Sequence, residues 1–554
     1  MGALWGLDLG QFAKFCVVSA AGFASSFVVY GVLVHGGVMP FAAAAVAFAV
    51  AVSQNYLLNR FWTLATYSTS WLRAVSRLAF IGVLVFVCLQ FESSLALLDE
   101  LLAALFLALI AVGITTLVWM LHAWRSRLAL IGVLVFVCLQ FESSLALLDE
   151  LLAALFLALT AVGTTTLVWM LHAWRSGDSL EQTRFPALER EPAHSFSLIL
   201  PARHEQAVLV PTLAKLAEQR HPAFEVIVVV GHDDPETHAV ALAATAEDER
   251  FRVVVDTNDR KNKPKALNSA LPFARGEVVG VFDAEDQVAP DLLRAVDQRL
   301  QETDVEVVQG ATQLMNYQSN WFSVRSVLEY YFWFKSRLHF HAGNGFIPLG
   351  GNTVFVRRDW LLRAGGWDPD CLAEDCDLGA RLSSIGARTV VAYNPELVTR
   401  EETPPSVRAL LKQRTRWNQG YLQVLRKDDW RRLPLGPRLL AAYTLAFPFL
   451  QAAIALTLPF AIAGTLVLEL PIELALLSFL PLVPLGAILV AEVIGLSELA
   501  REFELKPRLR HYAWLVVGVI PYQLVLSLAA ARAAYRELRG IRNWEKTAHV
   551  GAHL

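Results

Sequence analysis

Charge is nearly absent from two long parts of this chain, and that restricts its fold more than any motif does. Residues 1–176 and 439–533 are dense in Ala, Leu, Val and Phe, whereas residues 177–438 hold most of the charge. Overall 55% of the residues are hydrophobic and 18% charged. An uncharged run of about 20 residues is long enough to cross a bilayer as a helix. Phe15–Val34 is such a run, and Phe41–Leu58 is a second, slightly shorter one. Arg73 and Arg77 follow them; basic residues favour the cytoplasmic side, which puts the N-terminus inside as well. The reading is a membrane protein with a large aqueous domain in its middle.

A near-identical repeat comes next. The segment IGVLVFVCLQFESSLALLDELLAALFLAL begins at Ile81 and again at Ile131, and the repeat extends over Ser76–Ser126 and Ser126–Ser176. The copies differ only at Phe80/Leu130, Ile110/Thr160 and Ile114/Thr164. Each reads as a hairpin of two spans, a short limb near Leu78–Phe91 and a longer one at Leu101–Trp124. Acids at the turn (Glu92, Asp99, Glu100) and bases at the ends (Arg125, Arg127) fit the positive-inside rule. No packing demand requires such identity, so the repeat reads as a recent duplication or an assembly artefact rather than a functional array. Six N-terminal spans leave residues 177–438 in the cytosol. C-terminal to them are Leu439–Leu468, Leu474–Val490 and Ala513–Ala531. Three full crossings would put residues 534–554 outside, yet Arg532, Arg536, Arg539, Arg542 and Lys546 argue for inside. Either one segment is re-entrant or the first run holds more than one element.

The net charge of −3 says little about partners, and nothing points to nucleic acid. The 5 cysteines (Cys16, Cys88, Cys138, Cys371, Cys376) outline neither a disulfide framework nor a zinc site. The N-terminus lacks a signal-peptide pattern, so its first apolar run reads as a span.

The charged region alternates short apolar runs with helical stretches. Phe196–Leu200, FEVIVVV, FRVVVD and GEVVGVFDAED read as four strands of an α/β sheet, with a helix at Leu213–Glu218 after the first. Ligands of such sheets sit beyond the carboxyl ends of the strands. Arg203, His204 and Glu205 follow strand one; His232, Asp233 and Asp234 follow strand two; Asp283, Glu285 and Asp286 follow strand four. The last three carboxylates suit a hard divalent cation, although a solvated acidic turn accounts for them too. Glu374 and Asp375 precede an amphipathic stretch, where Asp375 is either a general base or an acid favoured by the helix dipole. In QRTRW, Gln413, Arg416 and Trp417 stand at i, i+3 and i+4 and share a helical face. Arg416 suits a diphosphate and Trp417 a sugar ring, but an interfacial helix has the same composition.

Taken together, these residues resemble membrane-embedded family-2 glycosyltransferases of the cellulose synthase and hyaluronan synthase type, over roughly residues 195–435. LPARHE (with Pro201, Arg203 and Glu205) resembles the nucleotide-binding end of the first strand. KNKPKALNSAL resembles the lysine loop, with Lys263 in the lysine position. FDAED resembles the metal-binding DxD motif, AED stands where the family has TED, and QRTRW fits QxxRW in full. The family's second strand usually ends in Asp-Asp; here VVVGHDDPE leaves Asp233 or Asp234 as the nucleobase contact, or neither. The resemblance implies an α/β GT-A domain inserted between α-helical transmembrane regions. It implies an inverting enzyme of the cytoplasmic membrane with a cytosolic catalytic domain, and a UDP-sugar or GDP-sugar donor. Mg²⁺ (or Mn²⁺) would lie on Asp283 and Glu285 or Asp286. Asp375 would be the base with Glu374 beside it, Gln413 and Arg416 would hold the donor, and Trp417 the acceptor. The acceptor is a growing β-linked polysaccharide or, alternatively, a lipid or short glycan. NWEKT near the C-terminus (Trp544, Lys546, Thr547) resembles the gating-loop motif of these synthases, and residues 11–65 loosely resemble GtrA-like membrane proteins. A reading of another class is a transporter or flippase that merely binds nucleotide.

Because a hairpin crosses twice, deletion of residues 127–176 should leave membrane insertion and sugar transfer largely intact. Protease access in intact cells checks this; an external residue 177–438 region after the deletion would refute the hairpin.

Overall fold

The computed structural model describes residues 144–174, 188–259, 261–467 and 477–545, together with residue 474 and isolated positions between 25 and 54. The chain divides into two compact units, Met1–Leu148 and Asp149–Leu554. The spans expected at 15–34 and 41–58 (isolated positions apart), the first copy of the repeat, and Lys546 and Thr547 lie outside the described residues.

The second unit is built on a seven-stranded mixed sheet. In chain order its elements begin with helix α1 (Ser144–Leu171), strand β1 (Phe196–Ala202), α2 (Leu209–Ala217), β2 (Phe224–Gly231), α3 (Pro235–Thr245), β3 (Phe251–Asp256), α4 (Lys263–Ala270) and β4 (Val278–Val281). Then follow α5 (Leu292–Thr303), β5 (Val307–Gly310), β6 (Thr312–Leu314), α6 (Ser323–Phe332), a π-helical turn (Trp333–Arg337), α7 (Leu338–Gly343), β7 (Val354–Arg357) and α8 (Arg358–Arg363). The last are α9 (Glu374–Ser384), β8 (Thr389–Ala392), β9 (Thr399–Glu401), α10 (Val407–Arg426), α11 (Leu435–Val467), α12 (Leu482–Glu502), α13 (Leu509–Val517) and α14 (Val519–Leu538).

The strand order is β3-β2-β1-β4-β7-β5-β8, with β6 and β9 forming a separate pair. The four strands expected from the apolar runs are all present, and β1, β2, β3 and β4 run parallel. Their β-branched runs suit a sheet covered on both faces. Alternate residues take opposite sides: Ile199, Ile227, Val229 and Val281 enter one core, and Leu198, Leu200, Val226 and Val228 the other. Strand β7 pairs antiparallel with both β4 and β5 and makes the sheet mixed, a reversal that no strand pattern in the sequence announces. With parallel strands β1 and β4 side by side, Pro201, Arg203 and Glu205 come to the same sheet edge as Asp283 and Glu285.

Among the described residues three helices are long and apolar enough to cross a membrane: Glu150–Trp174, Leu435–Thr457 and Leu482–Glu502. Leu509–Val517 and Val519–Leu538 make a fourth if the pair, bent by 52°, is one span. The bend falls at Gly518, and Pro521 has no N–H to offer the Val517 carbonyl. The expected run Leu474–Val490 differs from the helix found there. Leu482–Glu502 begins later and continues through Glu492, Glu498 and Glu502, because the α/β domain supplies cations for them: Arg325 reaches Glu492 at 2.8 Å, and Lys335 reaches Glu498 at 3.2 Å and also Glu502.

Helix α10 starts at Ser406, whose hydroxyl accepts the Ala409 N–H at 3.2 Å. Further along it presses against the entrance of α9 through Gly420: a Cβ there would lie 2.5 Å from the Ala373 backbone nitrogen. Gly420→Ala should therefore lower the thermal unfolding midpoint of the solubilised protein by the equivalent of about 1–3 kcal/mol of overpacking. Gly436→Ala, with nothing within 4 Å of the added atom, should change it little.

Candidate active site

One cavity of about 660 Å³ gathers residues from distant parts of the chain. Pro201, Arg203 and Glu205 enter from the end of β1, Lys263 from the start of α4, Asp283 and Glu285 from the end of β4, and Glu374 and Asp375 from the start of α9. Gln413, Arg416 and Trp417 line it from one face of α10, and Trp544 from the C-terminal tail. Thr444, Phe447, Pro448 and Gln451 of α11, with Gln523 and Leu526 of α14, complete its wall.

Three expected residues lie elsewhere. Asp233 pairs with Arg203 at 2.5 Å, outside the cavity wall. Asp234 caps α3, accepting the His204 N–H at 2.6 Å and the Thr237 N–H at 3.2 Å. The neighbouring strand end instead brings Asp256 to the cavity, with Lys261, whose Nζ donates to the Asp256 carbonyl at 2.6 Å. Asp286 is buried behind the wall and accepts the Asp283 N–H at 2.8 Å and the Asn352 amide at 3.1 Å. The sequence signal missed was the acid closing FRVVVD, the last residue of its strand.

Carboxylates crowd this site. Burial first, and then repulsion from Asp283, Glu401 and Glu205, holds Glu285 well above the usual carboxylate range. Burial, then Glu401 and Asp283, does the same to Asp286. Glu401 is pushed up to about 7 by burial and by Asp283. Lys263 stands among them with its Nζ 2.5 Å from Asp283 and donating to the Gly351 carbonyl at 2.8 Å. Burial disfavours its charge, but Asp283, Glu374 and Asp375 outweigh burial and hold the ammonium protonated. This surplus of buried oxygen anions over cations is the donor chemistry that hard divalent ions prefer. Asp283 and Glu285 are the members that reach the cavity. Among the described residues no three His, Cys, Asp or Glu side chains form a ready metal cage, so a cation here would need further oxygens from a ligand.

Glu374 and Asp375 titrate as a pair. Burial and the neighbouring Asp375 push Glu374 up to about 7. Burial also raises Asp375, against the Cys376 N–H, Lys263 and Arg416, which favour its ionised form. The Cys376 N–H reaches it at 2.8 Å. The contacts that favour ionisation therefore gather on Asp375, which makes it the better placed of the two to act as a base.

The two arginines of QRTRW part ways. Arg414 makes a double contact with Glu329 at 2.5 and 2.9 Å, and its guanidinium lies 4.5 Å from the centre of the Trp417 ring. Arg416 makes no ion pair among the described residues. Its Nε is buried without a partner and its guanidinium lies 4.5 Å from the Trp544 ring. It is a cation open to an anionic ligand.

Residues 192–420 match the family described as "Glycosyltransferase like family 2". The chain is 29% identical over 232 residues to a beta-monoglucosyldiacylglycerol synthase of Trichormus variabilis, covering 41% of this chain and 49% of that one. It is 25% identical over 240 residues to glucomannan 4-beta-mannosyltransferase 7 of Arabidopsis thaliana, covering 41% and 43%. Among solved structures, the mannosyltransferase PcManGT of Pyrobaculum calidifontis, in complex with GDP-Man and Mn²⁺, is 21% identical with a TM-score of 0.46, covering 70% of this chain and 99% of that one. The chain spans about half the length of the curated relatives it matches.

Proposed function

We propose that the protein is a membrane-bound inverting hexosyltransferase that moves a sugar from a nucleotide-diphosphate donor, a UDP- or GDP-sugar, to an acceptor presented by the cytoplasmic membrane. The observation that carries this reading is that Asp375, Lys263 and Arg416 share a cavity with side chains of α11, a helix of membrane-spanning composition, and of α14, which has that composition together with α13. A lipid-borne acceptor would reach the base from that side. A growing β-linked polysaccharide is the second reading, favoured by Trp417, an aromatic platform for a sugar ring beside the base.

In this mechanism Arg416 holds the donor diphosphate through charge-assisted hydrogen bonds. Lys263 keeps Asp283 oriented and offsets its charge. Asp375 accepts the proton of the acceptor hydroxyl as that oxygen attacks the anomeric carbon, which inverts the centre in one displacement. Trp417 supports the acceptor ring, itself held by Arg414. Glu374, whose pKa burial and Asp375 push up to about 7, stands beside that base. A divalent cation (Mg²⁺ or Mn²⁺) bound by Asp283 and Glu285 would supply charge for the departing nucleoside diphosphate.

Purified full-length protein incubated with a panel of UDP- and GDP-sugars tests the proposal. Nucleotide release that requires lipid and is lost in excess EDTA is expected; no release with any donor overturns it. Product length separates the two acceptors. Asp375→Asn should cut transfer by roughly 10²–10⁴-fold at saturating donor and leave donor binding in place, whereas Trp417→Ala should first raise the acceptor KM. The base must be ionised, so transfer falls as pH drops through the raised pKa of Asp375, above the usual value of about 4. Glu374→Gln should retain that acid limb, and a limb that disappears in it would transfer the base role to Glu374.

A further inference from the structure

The transfer chemistry gives no task to Arg337, a cation of the cavity that lies toward the apolar helices. Arg337 ends the π-helical turn Trp333–Arg337 and lines the cavity. Its guanidinium carbon lies 4.0 Å from the Trp169 ring centre, 4.8 Å from Trp333 and 5.2 Å from Phe447. Trp169 belongs to the apolar helix Glu150–Trp174 and Phe447 to Leu435–Thr457, and both rings are almost wholly buried. The cation therefore stands where two helices of membrane-spanning character meet the catalytic domain.

Neighbouring buried cations are paired: Arg325 with Glu492, Lys335 with Glu498, Arg414 with Glu329. Arg337 has no ion pair and no side-chain hydrogen bond among the described residues, and its Nε is buried without an acceptor. Glu329 acts on it at a distance but already accepts from Arg414 and from the Tyr522 hydroxyl, the latter at 2.8 Å. Burial lowers the guanidinium pKa to about 10, which leaves it charged at neutral pH. Aromatic faces attract a cation but do not saturate its N–H edge, and a planar fork of donors matches a phosphate in two-pronged fashion. Gln451, one turn along α11 from Phe447, lines the same cavity.

We infer that Arg337 binds a phosphate carried by the acceptor, so that the acceptor is a lipid phosphate rather than a neutral lipid. This rests on the lipid-acceptor reading above and narrows it. The aromatic box then serves two purposes: it orients the guanidinium edge toward the cavity, and it excludes water that would weaken the contact.

Full-length protein in neutral detergent, titrated with decyl phosphate, decanol and inorganic phosphate, tests the assignment by isothermal titration calorimetry. Decyl phosphate should bind more tightly than decanol and inorganic phosphate. R337Q should weaken decyl phosphate roughly ten- to hundredfold, with UDP and GDP affinity and decanol affinity unchanged. R337K keeps the charge without the fork and should fall between; it supplies the measurement if the glutamine variant does not fold. Unchanged decyl phosphate affinity in R337Q overturns the proposal. So does a parallel loss of nucleotide affinity in both variants, which makes the side chain a structural prop. Inorganic phosphate binding as tightly as decyl phosphate overturns the lipid source. These are binding measurements, so they stand apart from the turnover assay: absence of nucleotide release with every donor refutes the glycosyltransferase reading whatever Arg337 binds.

Discussion

Helix α10 is the member on which the rest of the unit hangs, and two carboxylates, one of them buried, fix it. Glu537 on α14 has 1% of its side chain exposed and accepts from Gln419 at 3.1 Å, Gln423 at 3.1 Å and Arg426 at 2.5 Å, all on α10. Glu329 on α6 receives both Arg414 of α10 and Tyr522 of α14. The catalytic sheet, the QRTRW helix and a membrane-type helix are thereby bonded into one body. A carboxylate as buried as Glu537 is tolerable only while its donors stay in place, since removing one partner leaves an uncompensated charge. The geometry of α10 is thus set by polar contacts that have no good alternative, and Arg416 and Trp417 inherit that rigidity.

The same economy of charge governs the cavity. Asp283, Glu285, Asp286, Glu374, Asp375 and Glu401 face a small number of cations, with Lys263 the one in direct contact with Asp283. Burial first, and then in most cases repulsion from neighbouring carboxylates, raises Glu285, Asp286, Glu374, Asp375 and Glu401. An arrangement of this kind is costly in isolation and is relieved by binding a cation or by protonation. It follows that the folded unit is poised to gain from ligands that bring positive charge to Asp283 and Glu285 and negative charge to Arg416.

Much of this was legible along the chain. The four parallel strands follow from β-branched runs ending in polar residues, and the common face of Gln413, Arg416 and Trp417 follows from their spacing on a helix. What was not legible depends on partners far away in sequence. Glu492, Glu498 and Glu502 lie beyond the expected run Leu474–Val490, and their partners Arg325 and Lys335 stand more than 160 positions earlier. Asp233 and Asp234 follow a strand as a nucleotide-binding pair would, but Arg203 and the N-terminus of α3 occupy them. The antiparallel entry of β7 is a property of topology, and its four residues carry no sign of direction.

Arg414 and Arg416 show why composition alone leaves such a site ambiguous. They are chemically identical, two positions apart, on the same helix, and each has an aromatic ring about 4.5 Å from its guanidinium. A helix turns by about 200° between such positions, so within one cavity wall Arg414 meets Glu329 while Arg416 pairs with no carboxylate among the described residues. Arg337 repeats the second situation at the opposite kind of wall, between rings supplied by apolar helices. In each case function is decided by what the fold withholds: a buried guanidinium given a carboxylate becomes part of the frame, and one left without it is available to a ligand.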